Sequence, residues 1–129
     1  MIDAALFENI VSELLDELPE AFFKELSGGV IISEEAPRPD YAVADDIFIF
    51  GEYRMSRLGR QVVIYRGSYE RLFPNAGEAF LRQDLRRVIR HEFRHHMEFL
   101  SGIRGKESLL AEDDKAKNDY LRRHSKEKQ

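Results

Sequence analysis

Three residues of one short stretch have the types and the spacing that metal-dependent hydrolysis requires. His91, Glu92 and His95 form the pattern H-E-x-x-H, and three of the chain's four histidines fall in this stretch. On a helix, residues four apart lie on one face, one turn above each other, so both imidazoles can bind a single zinc ion. The carboxylate beside the first histidine can then take a proton from a water molecule held by the metal. The pattern therefore predicts a hydrolytic zinc site.

The residues around the motif predict one long amphipathic helix. Residues 78–100 contain neither Pro nor Gly. At 3.6 residues per turn, one broad apolar face collects Leu81, Leu85, Val88, Ile89, Phe93, His96, Phe99 and Leu100. His91 and His95 project at the edge of this face, whereas Glu92 projects inside it, where an acid is costly unless it is paired or coordinated. The structural alternative is a satisfied glutamate between two surface histidines.

A second acid interrupts an apolar stripe in the last predicted helix, residues 109–123. Asp113 stands where an apolar residue is expected, on a stripe with Leu109, Ala116 and Tyr120. Two acids on apolar faces of neighbouring helices have one explanation if both face the same cation. The alternative is that Asp113 pairs with an arginine of the motif helix. Tyr120 follows Asp113 by two turns on the same face, and its hydroxyl, or else Arg94, can stabilise an oxyanion.

Length and composition bound the class of protein that carries the motif. With 129 residues, 43% of them hydrophobic and 34% charged, we expect one soluble domain over residues 1–129 with a frayed tail at about 124–129. There is no cysteine, so any metal is held by His, Asp or Glu. No apolar run is long enough for a membrane span, and residues 1–7 do not resemble a signal peptide. These features predict a cytoplasmic protein.

The net charge of −4 conceals a polarity along the chain. Residues 1–52 hold 13 acidic and 2 basic side chains, whereas residues 53–94 hold 10 arginines and 4 acids. Either the basic part binds a polyanion, or the acidic part packs against the basic part, and the overall acidity favours the second interpretation. A nucleic-acid-binding helix that presents Arg86, Arg87, Arg90 and Arg94 remains the less favoured alternative.

The elements that must hold the motif in place follow from periodicity and from helix breakers. We expect a helix over residues 3–17 capped by Asp3, a kink or new start at Pro19, and helix again over 21–26. Strands are predicted at 30–32, 47–50 and 61–65, a loop at 34–40, a hairpin loop at 55–59 and a short helix at 68–73. Because residues 47–50 are apolar on both faces, we expect them to form the central strand. The pattern is that of an α+β fold.

The motif and several flanking patterns resemble the small bacterial zincin-like metallopeptidases. The resemblance is carried by His91-Glu92-x-x-His95 followed by His96, with support from Leu18-Pro19, Gly51-Glu52-Tyr53 and Val63-Ile64-Tyr65-Arg66. It implies a minimal zincin fold in which the motif helix lies beneath a small mixed sheet with a zinc cleft between them. It also implies a zinc-dependent hydrolase that cleaves a peptide or protein substrate, with Glu92 as general base.

The chain departs from many zincins after the second histidine. Where they have a glycine and then a His or Asp ligand, this chain has Glu98 and Ser101. This is closer to the glutamate-type zincins, whose third ligand comes from a following helix, and it leaves Asp113, or secondly Glu112, as the third ligand. The rival interpretation is a catalytically inactive module of zincin fold that binds a metal or a protein partner.

Overall fold

The computed structural model describes residues 1–44, 47–102 and 117–123. They form helices and a three-stranded mixed sheet, which confirms the expected α+β class. In chain order the elements are helix α1 (Ala4–Asp16), a 3-10 turn (Glu20–Phe23), strands β1 (Gly29–Ser33), β2 (Gly51–Ser56) and β3 (Gly59–Tyr65), and helices α2 (Arg66–Leu72) and α3 (Glu78–Ser101). Residues 117–123 are also helical. No helix in these ranges has the length and apolar character needed to cross a membrane.

Strand β3 is the centre of the sheet. It pairs in parallel with β1 and antiparallel with β2, so the strand order is β1-β3-β2. Four consecutive side chains of β3, Val62 to Tyr65, are buried, because the strand has a neighbour on each side and helices across it. The tight turn between β2 and β3 closes at Gly59, whose φ of 109° suits glycine.

The prediction that residues 47–50 form the central strand is wrong. This segment is extended but belongs to no strand, and the next six residues form β2 at the edge of the sheet. Ile49 N–H donates to the Pro37 carbonyl at 2.8 Å, and the Phe50 carbonyl accepts from Tyr65 N–H at 2.9 Å. The segment is apolar because its side chains pack on α2: the Phe50 ring centre is 4.7 Å from that of Tyr69.

Helix α1 begins and ends as predicted, with Asp3 as its N-cap and Glu17 as its C-cap. The Asp3 carboxylate accepts from Ala5 N–H at 2.8 Å and from Leu6 N–H at 3.1 Å, which confirms it as the N-cap. The new start predicted at Pro19 is a single 3-10 turn, and the prediction of helix over 21–26 is wrong beyond Phe23. Glu25 has a φ of 60°, which ends the helical path.

Helix α3 carries the motif and packs on α1 and β2. It starts and ends as predicted, with Gly102 in the left-handed region at φ 66° as its C-cap. The apolar face is buried at Leu81, Leu85, Val88, Ile89 and Phe93. These side chains share one core with those of α1, namely Phe7, Ile10, Val11 and Leu14.

Ion pairs between the acidic and the basic parts of the chain line the contact of α1 with α3. Arg82 donates to Glu13 at 2.6 Å, and Arg86 binds both carboxylate oxygens of Glu17, at 3.0 and 2.7 Å. The interpretation that the acidic first part packs against the basic middle part is thereby confirmed. Each exposed pair contributes little to stability, but together they orient one helix on the other.

Candidate functional site

His91 and His95 lie one turn apart on α3, both half-buried, with Glu92 buried between them. Their ring centres are 5.2 Å apart and the ring planes make an angle of 83°. Two imidazoles on one tetrahedral zinc ion, each bound at about 2.1 Å, have ring centres about 5 Å apart. Glu92 is 8% exposed. The pair has the separation that a shared metal requires, and the acid is buried as the sequence predicts.

A cleft opens beside Glu92 and His91. It has a volume of about 180 Å³ and lies between α3 and the residues that lead into β2. Its lining consists of Ile49, Phe50, Gly51, Arg87, Val88, His91 and Glu92. A carboxylate and an imidazole therefore share one small recess with a guanidinium.

Gly51 permits the close approach of β2 to the motif helix. A Cβ at this position would lie 2.6 Å from Val88 Cγ1 and 3.2 Å from Glu92 Cγ, closer than carbon atoms can pack. A residue without a Cβ is therefore needed where the chain passes over Val88 and Glu92. Strand alternation then turns the side chain of Tyr53 toward the same face.

Tyr53 connects the second motif histidine to a buried imidazole. His96 is fully buried, and its Nε2 lies 2.7 Å from the Lys24 carbonyl. A carbonyl only accepts, so Nε2 carries a proton, and in that tautomer Nδ1 accepts from the Tyr53 hydroxyl at 2.7 Å. Arg60 donates to the same hydroxyl at 3.5 Å. Burial raises the pKa of Tyr53, so its hydroxyl remains a donor at neutral pH.

The ring of Tyr53 lies parallel to that of His95, at 6.4 Å between centres and 3° between planes. This contact links His96, which does not face the cleft, to the orientation of a motif histidine. His96 thus supports the site from within the core. In the sequence, Gly51 and Tyr53 stand two residues apart in a strand, so they share one face of it. This spacing points to the site only if one already knows that the strand covers α3.

Arg87 is held at the cleft by a chain of hydrogen bonds. Its Nε and Nη2 both donate to Asp84 Oδ1, at 3.3 and 3.0 Å. The other oxygen of Asp84 accepts from the buried Tyr69 hydroxyl at 2.6 Å. Burial and the Asp84 carboxylate raise the pKa of Tyr69, so this hydroxyl stays protonated as a donor. The sequence assigned Arg87 only to a charged helix face.

Of the residues expected to complete the site, the two that the structure describes, Tyr120 and Arg94, lie elsewhere. Glu112 and Asp113 lie outside the described residues. The Tyr120 ring is buried, 1% exposed, with its centre 5.5 Å from that of Tyr41, and its hydroxyl accepts from Val43 N–H at 3.0 Å. Arg94 lines a different cavity, with Pro19 and Met97 among others.

The donor set available to a metal is therefore incomplete in the described part of the chain. Across residues 1–44, 47–102 and 117–123, no group of three or more His, Asp or Glu side chains is arranged to hold a metal ion. Oε2 of Glu98, three residues beyond His95 on α3, is a buried acceptor without a hydrogen-bond partner in those same ranges, and it forms no metal-binding group with the two histidines.

The arginines of the nucleic-acid alternative face the protein's own acids. Arg86 binds Glu17, Arg87 binds Asp84, and Arg90 lies 3.7 Å from Glu17. Three of the four guanidinium groups are thus partly neutralised by carboxylates of the chain. This arrangement weakens the case for a phosphate-binding face.

Among known proteins, a solved structure is similar to this chain in both sequence and fold. No family model and no curated protein matches the chain. A solved structure described as a conserved hypothetical protein from Thermus thermophilus is 31% identical, with a TM-score of 0.62, over 78% of this chain and 98% of that one. The chain belongs to the family of that protein. Its description states no activity, so any function for this family member has to be argued from the site.

Proposed function

We propose that this protein is a zinc-dependent metallopeptidase whose site is His91, Glu92 and His95. The observation that supports this most is a pair of histidines at metal-binding separation with a buried acid between them, where the acid and one of the histidines, His91, line a cleft. The covering glycine, Gly51, leaves room for that carboxylate beside the strand.

The roles of the residues follow from their chemistry. His91 and His95 would hold the metal through neutral imidazole nitrogens, and the carboxylate of Asp113 or Glu112 would complete the set. Zinc bound there would acidify water and polarise the scissile carbonyl. Glu92 accepts the proton of the attacking water and later delivers it to the leaving amine. Tyr53, fixed by His96, holds the His95 ring in place.

Zinc content tests the first part of the proposal. Purified protein loaded with zinc is expected to hold about one ion per chain, and the double variant His91→Ala, His95→Ala is expected to lose it. His124→Ala, which removes the histidine outside the motif, is the matched control and should keep its zinc. Equal zinc in the double variant and in the wild type, measured by elemental analysis, would refute a metal site at the motif.

Replacement of Glu92 tests catalysis separately from metal binding. Gln has nearly the same shape but cannot take a proton, so Glu92→Gln should lower peptide hydrolysis by about a hundred- to ten-thousand-fold at equal zinc content. Glu78→Gln makes the same change on the same helix far from the motif and should leave the rate unaltered. Hydrolysis of a mixed peptide library is measured for all three proteins. Cleavage that persists in Glu92→Gln would point to a contaminating protease and contradict the mechanism.

A second function has one observation in its favour. The cleft of about 180 Å³ is smaller than the roughly 300–1,000 Å³ of ordinary ligand pockets. A small cleft suits a module that holds a metal without hydrolysing a substrate. In that case zinc binds, no peptide is cleaved, and Glu92→Gln is as stable as the wild type or more stable, because a buried charge is removed.

A further inference from the structure

Arg87 brings a positive charge into the cleft that holds Glu92. It precedes His91 by four residues on α3, so the two side chains lie on one face, one turn apart. Arg87, His91 and Glu92 line the same recess. The Arg87 side chain is also 66% exposed, which leaves it accessible from solvent.

Hydrogen bonds orient the Arg87 guanidinium although its side chain is largely exposed. An arginine side chain loses rotamer entropy when it is held in one geometry. Here two of its five N–H groups bind Asp84, and Asp84 is held by Tyr69. Tyr69 is fully buried, with the Phe7 ring centre 5.5 Å from its own. The guanidinium is thus tied to the core, with three N–H groups left for another acceptor.

Arg87 differs from the other arginines of α3 in what its ion pair does. Arg82 and Arg86 bind acids of α1 and so join two helices. The partner of Arg87 is three residues earlier on its own helix, and pairs of this kind contribute little to stability. The Arg87–Asp84 pair does not join α3 to another element. It orients the guanidinium of Arg87, which lines the cleft.

We propose that Arg87 binds a carboxylate of the substrate, so that the site prefers peptides with a negative charge close to the scissile bond. The inference rests on the proposed peptidase function. The recess of 180 Å³ is about 6 Å across if compact, which admits one or two residues of extended chain at about 3.4 Å each. The charge is therefore either the C-terminal carboxylate one or two residues away or an Asp or Glu side chain at that distance. Arg87 also offsets the repulsion that Glu92 exerts on such a group.

Binding of small probes tests the proposal without relying on catalysis. The probes are N-acetyl-alanine, N-acetyl-alanine amide and N-acetyl-aspartyl amide, titrated into zinc-loaded wild type, Arg87→Gln and Arg94→Gln. Arg94 is an exposed arginine of the same helix that lines another cavity. Loss of a charge-assisted hydrogen bond should weaken binding of one carboxylate probe about 10- to 100-fold in Arg87→Gln. Arg94→Gln should bind like the wild type, and the amide probe should respond to neither change.

The probe that responds identifies the source of the carboxylate, the C-terminus for N-acetyl-alanine or an acidic side chain for N-acetyl-aspartyl amide. Equal affinity of the wild type and Arg87→Gln for both carboxylate probes would overturn the proposal. So would an equal loss in Arg94→Gln, because the effect would then be one of net charge.

The kinetic test is cleavage of two peptide libraries, one with free and one with amidated C-termini. Each library is made in two versions, with and without Asp and Glu. Arg87→Gln should raise KM for the preferred acidic peptides and leave kcat/KM for neutral amidated peptides unchanged. A uniform loss on all peptides would contradict a role in recognition. If carboxylate binding depends on Arg87 while no library is cleaved, the peptidase proposal fails and the Arg87 site stands.

Discussion

At the scale of single residues, the least replaceable position near the motif is one without a side chain. Gly51 lies against Val88 and Glu92, and its conformation does not require glycine; only the space does. A one-carbon change therefore probes how tightly β2 covers the motif helix.

Gly51→Ala is expected to destabilise the protein by about 1–3 kcal/mol, because the added methyl group overlaps Val88 Cγ1. Adding Val88→Ala removes that methyl partner and should recover part of the loss, so the two changes should be non-additive. Free energies of unfolding of the two single variants and the double variant, from urea titration, give the coupling. Strict additivity would mean that the strand and the helix do not press on each other here.

Tyr53→Phe is expected to cost about 1–3 kcal/mol, because the buried Nδ1 of His96 loses its hydrogen-bond donor. Tyr65→Phe is the matched control: it removes a 2.6 Å bond to Glu52, whose side chain is 43% exposed and can bind water instead. The control should therefore lose less stability. If both variants lose the same free energy in urea titration, the burial of His96 does not govern the cost.

The sequence identifies the motif residues because the relation between His91, Glu92 and His95 is local to one helix. Their mutual geometry depends on 3.6 residues per turn alone. Gly51, Tyr53 and the cleft role of Arg87 are different, because they depend on which strand lies over the helix. No spacing within the chain carries that information.

At the scale of elements, α1 and α3 were predicted well, whereas the helix over residues 21–26 and one strand were not. The apolar run at 47–50 indicates burial correctly, but burial against α2 side chains gives the same composition as burial in a central strand. Strand β2, at one edge of the sheet, contains Glu52 and Arg54. Charged residues of this kind lower the β propensity of a segment, so the local sequence does not predict this strand. Pairing with β3 outweighs that local preference.

The contact of α1 with α3 makes stability depend on pH. The hydrogen bond from Arg86 holds the pKa of Glu17 below its usual range. A carboxyl with a lower pKa in the folded than in the unfolded state contributes stability above its unfolded pKa, and this contribution disappears as pH falls through the folded pKa.

Glu17→Gln should therefore unfold more easily than the wild type at pH 7, and the difference should vanish once the pH is below the folded pKa of Glu17. Glu20→Gln, at an exposed acid of the 3-10 turn, is the control, and its free energy of unfolding should stay close to that of the wild type at both neutral and low pH. Urea midpoints at several pH values measure this. A Glu17→Gln effect of the same size at low pH would show that packing, not charge, is responsible.

At the scale of the whole molecule, ion pairs within the chain join its acidic part to its basic part. The acids of α1 and of the loop at Glu34 meet arginines of α3 and α2. The sequence predicts this pairing in outline but not its partners, because each pair joins residues far apart in the chain. What remains toward solvent at the cleft is Arg87 with its local partner.

Those long-range pairs also set an order of events during synthesis. Glu13 and Arg82 are 69 positions apart, so at about 5–20 residues per second roughly three to fourteen seconds separate their translation. During that time the 13-residue α1 has no α3 to cover its apolar face, and a helix of this length is marginal alone. Strand β1 likewise waits for β3, its parallel partner. A ribosome that pauses before residue 78 therefore holds a nascent chain that exposes its future core to chaperones and proteases.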